Sequence, residues 1–331
     1  MDEAPYRRSR PGRVAGQPEL SVTIPTFHRP DSLVTALRSV TVDVGEAAPR
    51  IELVVSDNST DTLSECVVGP IFDTWPGPTT YVRHEPSRGR TENQNACVAL
   101  ATGAWQLILH DDDYLLSGGV SSILDGIRSA GPDDQVLLFG VRVVDEHGRL
   151  RRHQRFRTAR RLAPEDALRK LLTGSSFVRM PAICVRRDAY AAVGDFDATL
   201  RNVDDYDMWI RLFARYGILT MPRTVSAYVI HSGAESEGMF DADGIEQIQE
   251  LFRRAERTGV VTAADLGCRK RTYLHQFILA GCFRHLQRRD WAGAQRVLKL
   301  FTLPGVAELG WSRRWSLVRI AFTIGANLAA R

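Results

Sequence analysis

Trp105-Gln106-Leu107-Ile108-Leu109-His110-Asp111-Asp112-Asp113 is an apolar run that ends in three consecutive carboxylates. A short continuous apolar segment bounded by polar residues is what a central strand, buried on both faces of a parallel sheet, requires. In open α/β sheets the crevice outside the carboxyl ends of the strands holds the ligand. Three acids placed there repel one another unless a cation or hydrogen-bond donors share them. Mg²⁺ or Mn²⁺ is the natural partner, because hard cations prefer oxygen and commonly take one or two carboxylates together with substrate phosphates. Taken alone, the three acids could also simply turn the chain and cap a following helix.

The elements upstream give the run its setting. Leu20 to Thr26 reads as a strand that enters Phe27-His28-Arg29-Pro30 and then a helix starting near Asp31, a candidate N-cap. Ile51 to Val55 is the next strand and ends in the polar turn Ser56-Asp57-Asn58-Ser59-Thr60-Asp61; Thr80 to Val82 is a third. Thr91 to Ala101 has helical spacing of apolar positions, with Gly103 as its stop. Strands alternating with helices in this order mean βαβ units and a mainly parallel sheet flanked by helices. No G-x-G-x-x-G follows the first strand and no G-x-x-x-x-G-K-[ST] occurs, which disfavours a classical dinucleotide fold and a P-loop.

Composition bounds the rest. A chain of 331 residues, 44% hydrophobic, is long enough for a full core. Its five cysteines are scattered without C-x-x-C pairing, so neither a disulfide framework nor a zinc site is indicated and a reducing, cytoplasmic setting is expected. Residues 1–17 are charged and carry no apolar core of a secretory signal, and they read as a frayed tail. The net charge of +4 hides an asymmetry: residues 251–331 hold 15 Lys and Arg against 4 Asp and Glu. Such a basic region suits an anionic membrane surface or an acidic partner, or is the solvated face of helices. No nucleic-acid motif accompanies it.

Ile24-Pro25-Thr26-Phe27-His28-Arg29-Pro30, Val54-Val55-Ser56-Asp57-Asn58-Ser59-Thr60-Asp61, Gly89 with Asn95 and Ala101-Thr102-Gly103, then Asp111-Asp112-Asp113, fall in order over about ninety residues, each at a predicted strand end or in the helix beside one. This succession resembles family 2 glycosyltransferases with the GT-A fold. The resemblance continues through Val185 to Asp197 and Asp204-Asp205-Tyr206-Asp207-Met208-Trp209-Ile210-Arg211-Leu212, and covers roughly residues 18 to 235.

The resemblance implies transfer of a single sugar, with inversion, from a UDP- or dTDP-sugar to an acceptor hydroxyl. It implies that Asp113, with Asp111, ligates Mn²⁺ or Mg²⁺ at the donor diphosphate, that Asp111 or Asp112 holds the ribose, and that Asp57 reads the base in a pocket built with Pro25, Thr26, Phe27, Arg29 and Asn95. Asp205 matches the family's general base, and Asp204 stands where the family has a Glu. His231, at the end of a predicted strand, matches a His that reaches the metal or diphosphate, and the loop from Ser232 to Met239 has the composition of a lid. Arg211 is expected to be a structural ion-pair partner. Where the family often has Ala-Arg-Asn, this chain has Asn93-Gln94-Asn95, so a charged donor contact is missing or is supplied by Arg88 or Arg90.

The expected organisation is a GT-A domain over residues 18–240, with a nucleotide-sugar half at 18–130 and an acceptor half at 131–240, followed by a basic helical extension at 241–331. In that extension Ile245 to Arg257, Ala263 to Leu286, Trp291 to Phe301 and Trp311 to Ala330 have amphipathic helical spacing. The last of these suits a peripheral membrane contact at the inner face, a lipid-linked acceptor, or packing on the domain or in a homodimer. The acceptor class, whether glycan, lipid-linked or small molecule, has no motif. The rival readings are an inactive nucleotide-sugar-binding scaffold and a sugar-nucleotide nucleotidyltransferase, the latter lacking its Gly-rich opening loop here.

Overall fold

The computed structural model describes residues 6–12, 16–174, 176–230, 239–310, 318–320 and 322; His231, most of the expected lid loop and most of the expected final helix lie outside the described residues. In chain order the elements are β1 (Tyr6–Arg10), β2 (Leu20–Thr26), α1 (Pro30–Thr41), β3 (Ile51–Asp57), α2 (Leu63–Thr74), β4 (Thr79–Arg83), α3 (Arg90–Leu100), β5 (Trp105–Ile108), β6 (Tyr114–Leu115) and α4 (Gly119–Ser129). There follow β7 (Val136–Asp145), β8 (Leu150–Gln154), β9 (Arg160–Leu162), α5 (Pro164–Leu171), β10 (Ile183–Arg186), α6 (Arg187–Val193), α7 (Asp204–Tyr216), β11 (Ile218–Ile230), α8 (Ala242–Arg257), α9 (Ala263–Gln287) and α10 (Trp291–Lys299).

One sheet runs β1-β4-β3-β2-β5-β10-β7-β11-β6, with β8 on β7 and β9 on β11. It is parallel through β4-β3-β2-β5 and again at β7-β11, and antiparallel at its other pairings. The parallel character expected from the βαβ alternation thus belongs to the first half, where α1, α2 and α3 carry the chain back between strands. β10 enters between β5 and β7 antiparallel to both, and joins the two halves into one sheet.

Alternate strand residues feed two cores, one on each face. Leu137, Phe139 and Val141 of β7 pack with Leu33 and Leu37 of α1 and Ile123 and Leu124 of α4, while Val136 and Leu138 pack with residues of α5, α7, α8 and α9. Residues past 240 therefore do not build a core of their own. Ile245, Leu251, Leu274, Ile278 and Phe301 share one cluster with Trp209 and Phe213, and Phe322 stacks on Phe283 with centroids 6.2 Å apart. Among the described residues no helix is long and apolar enough to cross a membrane.

Two local expectations change. Tyr6 to Arg10, within the stretch expected to fray, forms a strand in register with β4, and Arg8 pairs with Asp73; an open sheet edge offers unpaired backbone groups that a short polar strand can satisfy. Asp31 is not the N-cap of α1, because Pro30 occupies the first helical position, where its missing N–H costs nothing, and moves Asp31 into the first turn. Gly103 is required by close approach: a Cβ there would lie 2.6 Å from Ser21 Oγ on β2. Arg211 is structural as expected, bonding Asp207 at 2.9 Å and the carbonyls of Val193 and Asp195.

Candidate active site

The parallel register aligns the carboxyl ends of β2, β3 and β5: Thr26 lies opposite Asp57, and Thr23 opposite Ile108. A cleft of about 460 Å³ opens there. Pro25, Thr26, Phe27 and Arg29 line one wall, and the turn that presents them has His28 in the left-handed region at φ 52°, its N–H donating to Ser59 Oγ at 2.8 Å. A non-glycine residue in that region costs roughly 1 kcal/mol, here offset by hydrogen bonds of His28 to Ser59 and Asp61. Phe27 is 54% exposed at the lip, an aromatic face open to a ligand.

The three acids are not equivalent. Asp111 is buried and accepts from Thr26 Oγ1 at 2.8 Å and from Arg29 at 3.3 Å; burial raises its pKa above the usual carboxylate range despite those donors. Arg29 also bonds Asp112 at 3.0 Å. Asp113 is 1% exposed, one oxygen accepting from the Val229 N–H at 2.8 Å and the other buried with no hydrogen-bond partner. Burial, reinforced by Asp112, pushes its pKa well up. An orphaned buried carboxylate oxygen is costly unless a cation or donor meets it, and ligand atoms of His110, Asp112 and Asp113 lie within 4.8 Å of one another. One imidazole and two carboxylates in reach of a single ion fit Mn²⁺ or Mg²⁺. Asp111, expected in that set, is instead turned toward Thr26 and Arg29, and His110 takes its place; no motif singled out His110, though it is adjacent to the acids.

On the opposite side α7 begins with the acid pair. Asp204 is 1% exposed and fully engaged, accepting from Arg90 at 2.6 Å and from Thr91 Oγ1 at 2.8 Å. A carboxylate held by a guanidinium and a hydroxyl is a fixed anchor, tying the start of α7 to α3. Asp205 lines the cleft, accepts from the Tyr206 N–H at 2.8 Å and stands beside Asp204 in the chain. Burial and the adjacent Asp204 push its pKa up to about 7. The helix N-terminus and the Arg90 and Arg179 charges oppose this without cancelling it. A carboxylate poised near neutrality and facing a cleft has the properties of a general base.

Two further expectations are corrected. Asn95 is not on the cleft wall: its amide donates to the Phe196 carbonyl at 2.9 Å and accepts from the Phe196 N–H at 2.8 Å, and Asn93 and Gln94 face the cleft in its place. Asp57 is also off the wall. It is fully buried and accepts from the Ser59 N–H at 2.8 Å and the Tyr81 hydroxyl at 2.7 Å, while its neighbour Asn58 lines the cleft. Arg90 is committed to Asp204, which leaves Arg88, exposed on the wall, as the cation available to a donor. Tyr228 completes the wall, with the Arg179 guanidinium 4.7 Å from its ring centroid.

A family model described as Glycosyl transferase family 2 matches residues 21–194, just over half of the chain. An uncharacterized protein of Mycobacterium tuberculosis is 27% identical over 220 residues, 63% of this chain and 66% of that protein, so the chain spans just under two thirds of its length. Among solved structures, residues 1–349 of TarS from S. aureus superpose with a TM-score of 0.61 at 16% identity, over 93% of this chain and 88% of that one, and TarS has also been solved with UDP. The mannosyltransferase PcManGT from Pyrobaculum calidifontis, solved with GDP-Man and Mn²⁺, superposes with a TM-score of 0.56 at 16% identity, over 96% of this chain and 90% of that one. At such identities the likeness is one of fold.

Proposed function

Because the chain belongs to glycosyl transferase family 2, we propose that it transfers a single sugar, with inversion, from a UDP- or dTDP-sugar to an acceptor hydroxyl with the help of a divalent cation. The observation that carries this reading is the facing of two unlike acid groups across one cleft: His110, Asp112 and Asp113, clustered at cation-binding distance on one side, and Asp205, freed by the locking of Asp204, on the other.

The donor's base lies against Phe27 and Asn58, its ribose meets Asp111, and Arg88 approaches the diphosphate. His110, Asp112 and Asp113 would hold Mn²⁺ or Mg²⁺, which would supply Lewis-acid stabilisation of the leaving diphosphate. The acceptor oxygen forms its bond to the anomeric carbon as the carbon–phosphate oxygen bond breaks; the electron pair leaves with the nucleoside diphosphate, and the hydroxyl proton passes to Asp205. Attack and departure on opposite faces invert the anomeric centre, and Asp205 serves as the base with no nucleophile needed. His231, outside the described residues, remains the candidate for a further contact to the cation. We assign the donor to residues 18–130 and the acceptor to 131–240.

UDP and dTDP titrated calorimetrically into the protein, with and without Mn²⁺, test the assignment, followed by hydrolysis of donor sugars. Binding that needs Mn²⁺ and is lost in Asp113→Asn is expected. Failure of both nucleotides to bind under any metal condition would sink the transferase reading.

A further inference from the structure

A second cleft, of about 710 Å³, lies between the β8–β9 segment, α5 and α9, and shares no lining residue with the donor cleft. The segment that forms one side is unusual in composition: residues 149–161 contain seven arginines and no Asp or Glu. Strand alternation sorts them. Arg152 and Gln154 of β8, with Phe156 just beyond, face the cleft, while Arg151 turns to Asp145 at 2.8 Å and His153 to Thr224 at 2.9 Å. The cleft-facing side chains are braced: Arg152 bonds Ser176 Oγ at 3.0 Å, Gln154 bonds the Phe177 carbonyl, and Phe156 meets Phe177 edge to face with centroids 6.4 Å apart.

The charge inside is not cancelled. Arg169 and Arg269, from α5 and α9, both grip Asp265, Arg169 also pairs with Glu165 at 2.7 Å, and Asp166, the acid on the wall, lies 3.9 Å from Arg169. Among the described residues, Arg152, Arg160 and Lys170 have no carboxylate partner. Three cations without a carboxylate partner lining one concave, aromatic-edged space differ from the scattered charges of a solvated helix face. Guanidinium groups in that arrangement suit the oxygens of phosphate. The wall also leads to the chemistry: Phe177 is two residues before Arg179, which stacks on Tyr228 of the donor cleft.

We propose that this basic cleft is an acceptor subsite that binds a phosphate or diphosphate group carried by the acceptor. The proposal rests on the transferase reading for its role, and names a substrate class for it: an anionic, phosphorylated acceptor. The phosphate can come from a lipid-linked or a soluble acceptor, and the chemistry recognised is the same.

The test is calorimetric titration of inorganic pyrophosphate into the full chain in metal-free buffer with EDTA, alongside a separate titration of UDP with Mn²⁺. Saturable pyrophosphate binding is expected, weakened about tenfold or more in R152A/R160A/K170A and little changed in R155A/R157A, which removes two arginines of the β8–β9 segment that do not line the cleft. UDP binding is expected to be the same in all three proteins, so a failed donor site and a failed acceptor subsite give different patterns. Geranyl diphosphate binding more tightly than pyrophosphate would support the site with a lipid-linked source, and equal binding would support it with a soluble one. Absence of saturable pyrophosphate binding, equal weakening in both variants, or retention on phosphatidylglycerol vesicles that pyrophosphate does not displace would overturn it.

Discussion

Asp204 and Asp205 are neighbours with the same side chain, and their environments give them opposite roles. Arg90 and Thr91 pair with the first, whereas the second is buried and carries the electrostatic cost of standing beside it. Asp205→Asn keeps the shape and the oxygen that accepts the Tyr206 N–H but cannot take a proton, and kcat is expected to fall roughly 10²- to 10⁴-fold with little change in nucleotide binding. In the native protein kcat/KM should rise with pH through about 7 as the carboxylate ionises. The same raised pKa makes Asp205 a liability to the fold. Below about pH 4 it is protonated in both folded and unfolded chains and costs nothing; the penalty grows as pH rises and is complete above about 7. Asp205→Asn should therefore raise Tm at pH 8 and leave it unchanged at pH 4. A variant that is inactive and also destabilised at pH 8 would show that Asp205 is structural. Asp205 could be singled out in the sequence because it lies in a motif at a helix start. The clustering of His110 with Asp112 and Asp113 could not, because it depends on where their side chains point.

At the scale of elements, the site is built by ties between segments distant in sequence. The first turns of α3 supply Arg90 and Thr91 to Asp204, 114 and 113 positions away, and Asn95 pins α3 to Phe196 by a reciprocal backbone pair. Asn95→Ala leaves a donor and an acceptor of the Phe196 peptide unmatched and should cost about 1–3 kcal/mol, seen as a lower urea midpoint. Because α3 carries the Asp204 anchor, kcat should also drop, while UDP binding, which does not use Asn95, should hold. Unaltered stability would show the pair to be weak. The identities of these segments as strand ends and helix starts were legible, since apolar runs closed by Thr26, Asp57 and Asp111 announce parallel strands. Which face each residue takes was not. A helix turns 100° per residue, so Asn93 and Asn95 point to different places, and only the packing of α3 on β2 and β3 decides that Asn93 meets the cleft. For the same reason, Asp57 was legible as a strand-end acid but not as the partner of Tyr81, a residue on the adjacent strand. Tyr81→Phe, which leaves that buried carboxylate short of a donor, should destabilise by about 1–3 kcal/mol without a change in metal dependence.

Over the whole molecule, the helices after residue 240 belong to the same folded body as the site. They cover the face of α7 that carries Trp209 and Phe213, and Arg254 of α8 ties them to the site's own helix by bonding Asp207 at 3.0 Å and Asp197 at 2.7 Å. Amphipathic helices were legible there but not what they cover, because periodicity defines an apolar stripe and not its partner. Removing residues 241–331 would expose that core face, and the shortened chain is expected to bind the dye ANS and lose its cooperative melting transition. The charged ties also make the junction sensitive to acid. Hydrogen bonds from Thr199 and Arg254 hold the Asp197 pKa down to about 2, and Arg257 and Arg253 do the same for Glu250. These contributions are fully present above about pH 4 to 5, where both acids would ionise in an unfolded chain, and are lost as pH falls toward about 2. Arg254→Met keeps the apolar stem packed and removes only the charge. It should lower Tm at pH 7 by the equivalent of about 1–3 kcal/mol, because Arg211 still partners Asp207. At pH 3 the gap between variant and native Tm should narrow, since Asp197 and Glu250 take up protons in the unfolded chain at that pH while staying largely charged in the fold. A gap that stayed constant from pH 7 to pH 3 would mean that the helices are held by the apolar core alone.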